Sequence, residues 1–98
     1  MATSIIHDDE NRAREAITTT ARSLFDRGLT HGSTGNISMR IGDDLLVTPT
    51  GSSFGSLDPA RITRLDPAGR VVAGDPPSKE AFLHQAMYQE RASAGAVV

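Results

Sequence analysis

Ninety-eight residues with no cysteine, a net charge of −2 and only 4% aromatic side chains exclude several classes of protein at once. Without cysteine there is no disulfide framework, no thiolate metal site and no cysteine nucleophile. A slightly acidic chain also lacks the basic face that nucleic acid or an anionic membrane surface requires. No apolar run is long enough for a secretory leader or a membrane span, so the sequence reads as one small, soluble, cytoplasmic unit. Its core is expected to rest on Ala, Leu, Ile and Val, with Phe25, Phe54, Phe82 and Tyr88 as the few large pieces.

The first element reads as an amphipathic helix. Ala13, Ala16, Ile17, Thr20, Leu24 and Phe25 recur at spacings of three and four, Asp8, Asp9 and Glu10 suit a helix start, and Gly28 is a natural stop. Residues 36–40 and 45–48 read as strands around a turn at Gly42-Asp43, and Pro49 should end the second, since it cannot donate to a ladder. Asp58-Pro59-Ala60-Arg61 opens a short helical turn. Residues 62–65 and 70–73 flank a second hairpin turn, Asp66-Pro67-Ala68-Gly69. After the rigid Asp75-Pro76-Pro77, Ser78 reads as the cap of a helix over about 79–91 that buries some of Ala81, Phe82, Gln85, Met87 and Tyr88. Residues 94–98 are small and apolar, as at the start of a buried strand, and the chain is expected to stop there in mid-element.

Three turns carry candidate chemistry. His31-Gly32-Ser33-Thr34-Gly35-Asn36-Ile37-Ser38 has neither the Gly-Lys-Ser/Thr of a P-loop nor the glycine spacing of a dinucleotide fingerprint. It reads either as a plain helix–strand connection or as an anion nest with the Asn36 amide at its rim. Thr48-Pro49-Thr50-Gly51 is either a tight turn or a second contact to the same anion, through the Thr50 hydroxyl and the Gly51 N–H. Ser78-Lys79-Glu80 is either an ordinary cap with an acidic first turn, or a phosphate contact that also presents one carboxylate to a reacting carbon. In the second reading Lys79 neutralises charge. His84, four residues after Glu80, is a structural histidine or a support for that carboxylate. His7, His31 and His84 do not have metal-site spacing.

Together, Gly35-Asn36-Ile37-Ser38, Thr48-Pro49-Thr50-Gly51, Pro77-Ser78-Lys79-Glu80 and Ala94-Gly95-Ala96-Val97-Val98 resemble, in order and spacing, the class II aldolase/adducin family. The resemblance covers nearly the whole chain and implies an α/β fold, a three-layer α/β/α sandwich around a mixed, mostly antiparallel sheet. It also implies that residues 1–98 are the N-terminal portion of one such domain. Pro76-Pro77-Ser78-Lys79-Glu80-Ala81-Phe82-Leu83-His84 and the turn Thr50-Gly51-Ser52-Ser53 are most similar to the branch that decarboxylates 3-oxo-tetronate 4-phosphates. Fuculose-phosphate aldolases often have a second serine in place of Lys79.

The resemblance implies that Asn36, Thr50, Gly51, Ser78 and Lys79 hold the substrate phosphate and that Glu80 is the acid/base. It implies a divalent metal, usually zinc, which Glu80 can approach when substrate is absent. The histidine ligands of that metal would lie beyond Val98. A phosphorylated sugar acid is the implied substrate and a homotetramer the implied assembly, with no nucleic acid or membrane partner. The 98 residues alone are expected to be inactive. Two enzymatic alternatives share the enediolate chemistry: a class II sugar-phosphate aldolase and a pentulose-phosphate 4-epimerase. An adducin-like interaction domain is the non-catalytic alternative.

Overall fold

The computed structural model describes residues 2–29, 36–90 and 96–97, with side chains described over 9–29 and 36–90. Expectations for residues 30–35, 91–95 and 98, including most of the first glycine-rich run, lie outside the described residues. Helix α1 runs Ala2–Asp26, and strands β1 (Ser38–Ile41) and β2 (Asp44–Val47) form the first hairpin. Two 3₁₀ turns, Phe54–Ser56 and Pro59–Arg61, precede β3 (Thr63–Leu65) and β4 (Val71–Ala73). Helix α2 (Ala81–Glu90) and β5 (Ala96–Val97) complete the order. The sheet runs β4-β3-β2-β1-β5. Every pairing in it is antiparallel among the described strands.

Strand alternation divides the sheet into two apolar faces. Leu46 points toward α1 and packs with Ala13, Ile17, Ala21, Ile37, Phe54 and Ile62. Leu45, Val47 and Leu65 point the other way and meet Ala81 and Tyr88 of α2. One helix therefore lies on each face, giving the expected helix–sheet–helix layering.

The expected stripe on α1 is displaced. Ala13 and Ile17 are buried, but the stripe continues through Ala21 and leaves Ala16 and Thr20 exposed. The residue that disturbs the count is Arg14, only 6% exposed. Its Nη1 donates to the carbonyls of Pro59 (2.9 Å) and Ile62 (2.8 Å), and its Nε donates to Glu10 at 2.9 Å. Glu10 also pairs with Arg64, whose Nε reaches Asp44 at 2.8 Å. A long cation is tolerated on the inner face because every charge there has a partner.

The helix also begins well before the acidic run, so Asp8, Asp9 and Glu10 are not in its first turn. It ends as expected: Leu29 N–H donates to Leu24 and Gly28 N–H to Phe25, each at 3.0 Å, the paired bonds of a glycine-terminated helix. Of the four large rings, Phe54 and Tyr88 are buried, whereas Phe25 lies half-exposed against Gly55 and Phe82 is 68% exposed. Met87 is exposed as well, so α2 buries Ala81, His84 and Tyr88.

Candidate active site

Two short connections bring the three turns together. Val47 ends β2, and Thr48 N–H donates to the Ile37 carbonyl at 3.0 Å while the Thr48 hydroxyl accepts from Ile37 N–H at 3.2 Å. The chain then pairs Pro49 with Pro77 in an isolated antiparallel bridge, and Thr50 N–H donates to the Pro76 carbonyl at 3.0 Å. The segment leading into α2 is thus tied to the turn that follows β2. Gly51 occupies the third position of that turn at φ 69°, with Ser52 N–H closing on Pro49, and this position of a type II turn requires glycine. No acceptor meets the Gly51 N–H among the described residues.

Asn36 sits at the centre. Its Oδ1 accepts from the Ser78 hydroxyl (2.9 Å) and the Thr48 hydroxyl (3.1 Å), and its Nδ2 donates to Glu80 Oε2. Thr48 is fully buried and already accepts from Ile37 N–H, so its own proton goes to Asn36. Two donors on one side fix which way the amide faces. The amide nitrogen is directed outward to the carboxylate. The sequence reads Ser78 as the cap of α2, but its hydroxyl is committed to Asn36, and the turn into the helix is made by backbone bonds from Ala81 to Ser78 (3.1 Å) and from His84 to Glu80 (3.2 Å). Glu80 therefore stands at the N-terminal end of α2 with an exposed side chain, and Lys79 beside it has no ion pair among the described residues.

The structure thus joins Asn36, Ser78 and Glu80 directly, holds Thr50 and Gly51 against the same segment and leaves Lys79 at the rim. Thr48, which locks the amide, had no assigned role at the sequence level. Its signal was only its place two residues before Thr50.

Among the described residues the His84 ring makes no hydrogen bond to Glu80. Its Nδ1 lies 2.5 Å from Ser38 Oγ, which is 3.0 Å from Tyr88 Oη, all three groups being buried between β1 and α2. Burial pushes the imidazole below its ordinary range, against the opposing pull of the Glu80 carboxylate, so it is neutral at pH 7. Glu10 is also held low: burial alone would raise its carboxyl, but the hydrogen bonds and charges of Arg14 and Arg64 outweigh it.

Both depressed values make acid destabilising. As pH falls through the unfolded imidazole value near 6.5, the unfolded chain takes up a proton that buried His84 resists. Near 4.5 and below, the unfolded chain protonates at Glu10 while the folded one does not. Chemical denaturation from pH 8 to pH 4 should therefore show stability lost in two windows, and His84→Asn should flatten the upper one. A flat stability between pH 7 and 5 in the parent protein would contradict this assignment of His84.

Among the described residues no three His, Cys, Asp or Glu side chains converge as a metal site would require. Glu80 stands alone, and His84 Nδ1 is turned to Ser38. The described residues do not by themselves fit a divalent cation.

A family model for the class II aldolase and adducin N-terminal domain matches residues 15–98. The chain belongs to the class II aldolase and adducin family. A 3-oxo-tetronate 4-phosphate decarboxylase from Cupriavidus necator is 45% identical over 89 residues, covering 91% of this chain and 41% of that protein. An L-fuculose phosphate aldolase from Escherichia coli is 37% identical over 90 residues, covering 92% of this chain and 42% of that protein. The crystal structure of Escherichia coli YgbL, described as a candidate aldolase/epimerase/decarboxylase, superposes with a TM-score of 0.85 at 41% identity, over 89% of this chain and 42% of that one. This class II aldolase-like chain thus spans about two fifths of the length of the relatives it matches. Its helix–sheet–helix layering superposes on the matching part of that crystal structure. Among the described residues, no helix is long and apolar enough to cross a membrane.

Proposed function

We propose that the protein is a lyase that decarboxylates a 3-oxo-tetronate 4-phosphate to dihydroxyacetone phosphate and carbon dioxide. The observation that carries this is the convergence of the Asn36 amide, the Ser78 hydroxyl and the Glu80 carboxylate at the start of α2. The higher identity to decarboxylases than to the fuculose phosphate aldolase supports this reaction over its closest alternative.

Asn36 Nδ2, Thr50 Oγ1, the Gly51 N–H and Lys79 present donors and one cation on neighbouring turns, Ser78 takes part by holding the Asn36 amide in place with its hydroxyl proton, and the N-terminal end of α2 adds its partial positive charge. A phosphate held there fixes the substrate by a group remote from the bond that breaks. The 3-oxo acid then loses its carboxylate as carbon dioxide. The bonding pair passes into an enediolate between the former second and third carbons. Glu80, as the acid, delivers one proton to the second carbon and completes dihydroxyacetone phosphate. A retro-aldol cleavage of a ketose phosphate passes through the same enediolate, so the alternatives differ in the group lost rather than in the grip.

The reading carries a divalent metal, with zinc expected by resemblance, for which the described residues supply no cage. It also carries a cytoplasmic homo-oligomer, tetrameric by resemblance.

A substrate panel tests the reaction. Full-length protein should release carbon dioxide from a 3-oxo-tetronate 4-phosphate, and do so far more slowly from the dephosphorylated acid. Cleavage of L-fuculose 1-phosphate with no carbon dioxide release would make the protein an aldolase. No turnover of any phosphorylated substrate would favour the interaction-domain alternative.

A further inference from the structure

The contacts between β1 and α2 form a regular series. Asn36 and Ser78 meet beside Glu80, Ser38 meets His84 and Tyr88, and Arg40 Nη2 donates to the Tyr88 carbonyl at 2.9 Å with its guanidinium 5.2 Å from the centre of the Tyr88 ring. The strand contributes residues 38 and 40 and the chain just before it residue 36, alternate positions of an extended chain. The helix contributes residues 84 and 88, and Glu80 stands four residues before His84, just ahead of the first helical residue.

Two steps of strand rise about 6.6 Å, and four residues of helix rise about 6 Å. The two spacings match closely enough for a polar rung at each level, with strand and helix advancing in the same direction. Apolar packing alone would let α2 slide or rotate on Leu45, Val47 and Leu65, because hydrophobic contact is not directional. Ser38 and His84 are buried, so their bond cannot be exchanged for water without cost.

We propose that the Ser38–His84–Tyr88 rung is a positioning device for the acid/base: it sets the register of α2 on β1 and thereby holds Glu80 opposite the Asn36 amide. Ser38 and His84 are positioning residues, since neither side chain hydrogen-bonds to those of Asn36 or Glu80 among the described residues. The proposal rests on the reading of Glu80 as the acid/base. Its geometric part, the pairing of Glu80 with Asn36, is observable without turnover.

The test uses full-length protein carrying Ser38→Ala, His84→Leu, His84→Asn or Glu80→Gln, with kinetics and the NMR signals of the Asn36 side-chain amide as readouts. Ser38→Ala and His84→Leu should lower kcat about ten- to hundredfold, the scale of a misplaced catalytic group, and should leave KM within about twofold. His84→Asn, whose Oδ1 stands where Nδ1 was, should recover most of the loss. On a Glu80→Gln background Ser38→Ala should have no further effect on kcat, because it acts through the missing carboxylate. The Asn36 amide signals should shift in Ser38→Ala.

If His84→Leu fails to fold, Ser38→Ala, which removes only a hydroxyl, carries the same outcomes. Full kcat in Ser38→Ala alongside a collapse in Glu80→Gln overturns the proposal and leaves the functional reading standing. Full kcat in Glu80→Gln overturns the functional reading, and the Asn36 signals then decide the positioning claim alone. Unmoved Asn36 signals in Ser38→Ala overturn it in either case.

Discussion

Glu80→Gln in the full-length protein should lower kcat by about 10²–10⁴-fold, the usual contribution of a positioned general acid or base. The substitution isolates the proton. A glutamine there keeps the size of the side chain and an oxygen that can accept from Asn36 Nδ2, so the contact seen at Glu80 Oε2 survives. The side chain is exposed and lies outside both apolar clusters, so the unfolding midpoint should stay where it was. KM should change little if the phosphate is gripped by Asn36, Ser78 and the Thr50-Gly51 turn, because those groups do not depend on the carboxylate's charge. Parallel kinetics and thermal melts check all three statements. Undiminished turnover would remove Glu80 from the mechanism, and a raised KM with unchanged kcat would move it into the binding grip.

The largest effect on stability is expected from Gly74→Ala. Gly74 follows β4 at φ 82°, where an added Cβ would lie 2.1 Å from the Ile62 carbonyl oxygen and 2.7 Å from its carbon. Both obstacles are backbone, so no side-chain rotation relieves the clash. The left-handed backbone alone costs about 1–2 kcal/mol for a residue with a Cβ, and with the clash the total should reach about 3 kcal/mol or more.

The damage should extend to the site. Asp75 N–H donates to the Arg61 carbonyl at 3.0 Å and the Thr63 hydroxyl to the Asp75 carbonyl at 2.5 Å, and this docking delivers Pro76 to Thr50 and Ser78 to Asn36. Gly74→Ala should therefore lower both the denaturation midpoint and substrate affinity. A variant as stable as the parent would show that the chain takes another path after β4.

Local chemistry explains which elements were legible in the sequence. The hairpin turn at residues 42–43 gives the register Ile41↔Asp44, and the turn at 66–69 is closed by the Asp66 carboxylate accepting from Ala68 and Arg70 N–H, both at 2.9 Å. Turns of this kind are dictated by residues within four positions of one another. Asp58 likewise starts its 3₁₀ turn by accepting from Ala60 N–H at 2.9 Å.

Several features that local pattern left open or misplaced depend on partners far along the chain. Arg14 is buried because carbonyls 45 and 48 residues away accept its protons, which no helical periodicity reveals. His84 turns from its i−4 neighbour Glu80 to Ser38, 46 residues away, once β1 and α2 are packed. Phe82 has the size of a core residue, but the face of α2 that meets the sheet is set by Ala81, His84 and Tyr88. In the candidate site, motif order pointed to Asn36, Thr50, Gly51, Ser78, Lys79 and Glu80, while the lock on Asn36 by Thr48 needed three dimensions.

The central claim is that separate turns form a single anion grip beside one acid/base. Amide NMR during titration of the full-length protein with inorganic phosphate tests it most directly. The Asn36 side-chain amide and the Gly51 and Lys79 backbone amides should shift together along one binding curve, and Asn36→Ala should weaken that curve at all the remaining positions. Shifts that follow unrelated curves, or a Gly51 amide that stays still while Asn36 moves, would contradict a shared site.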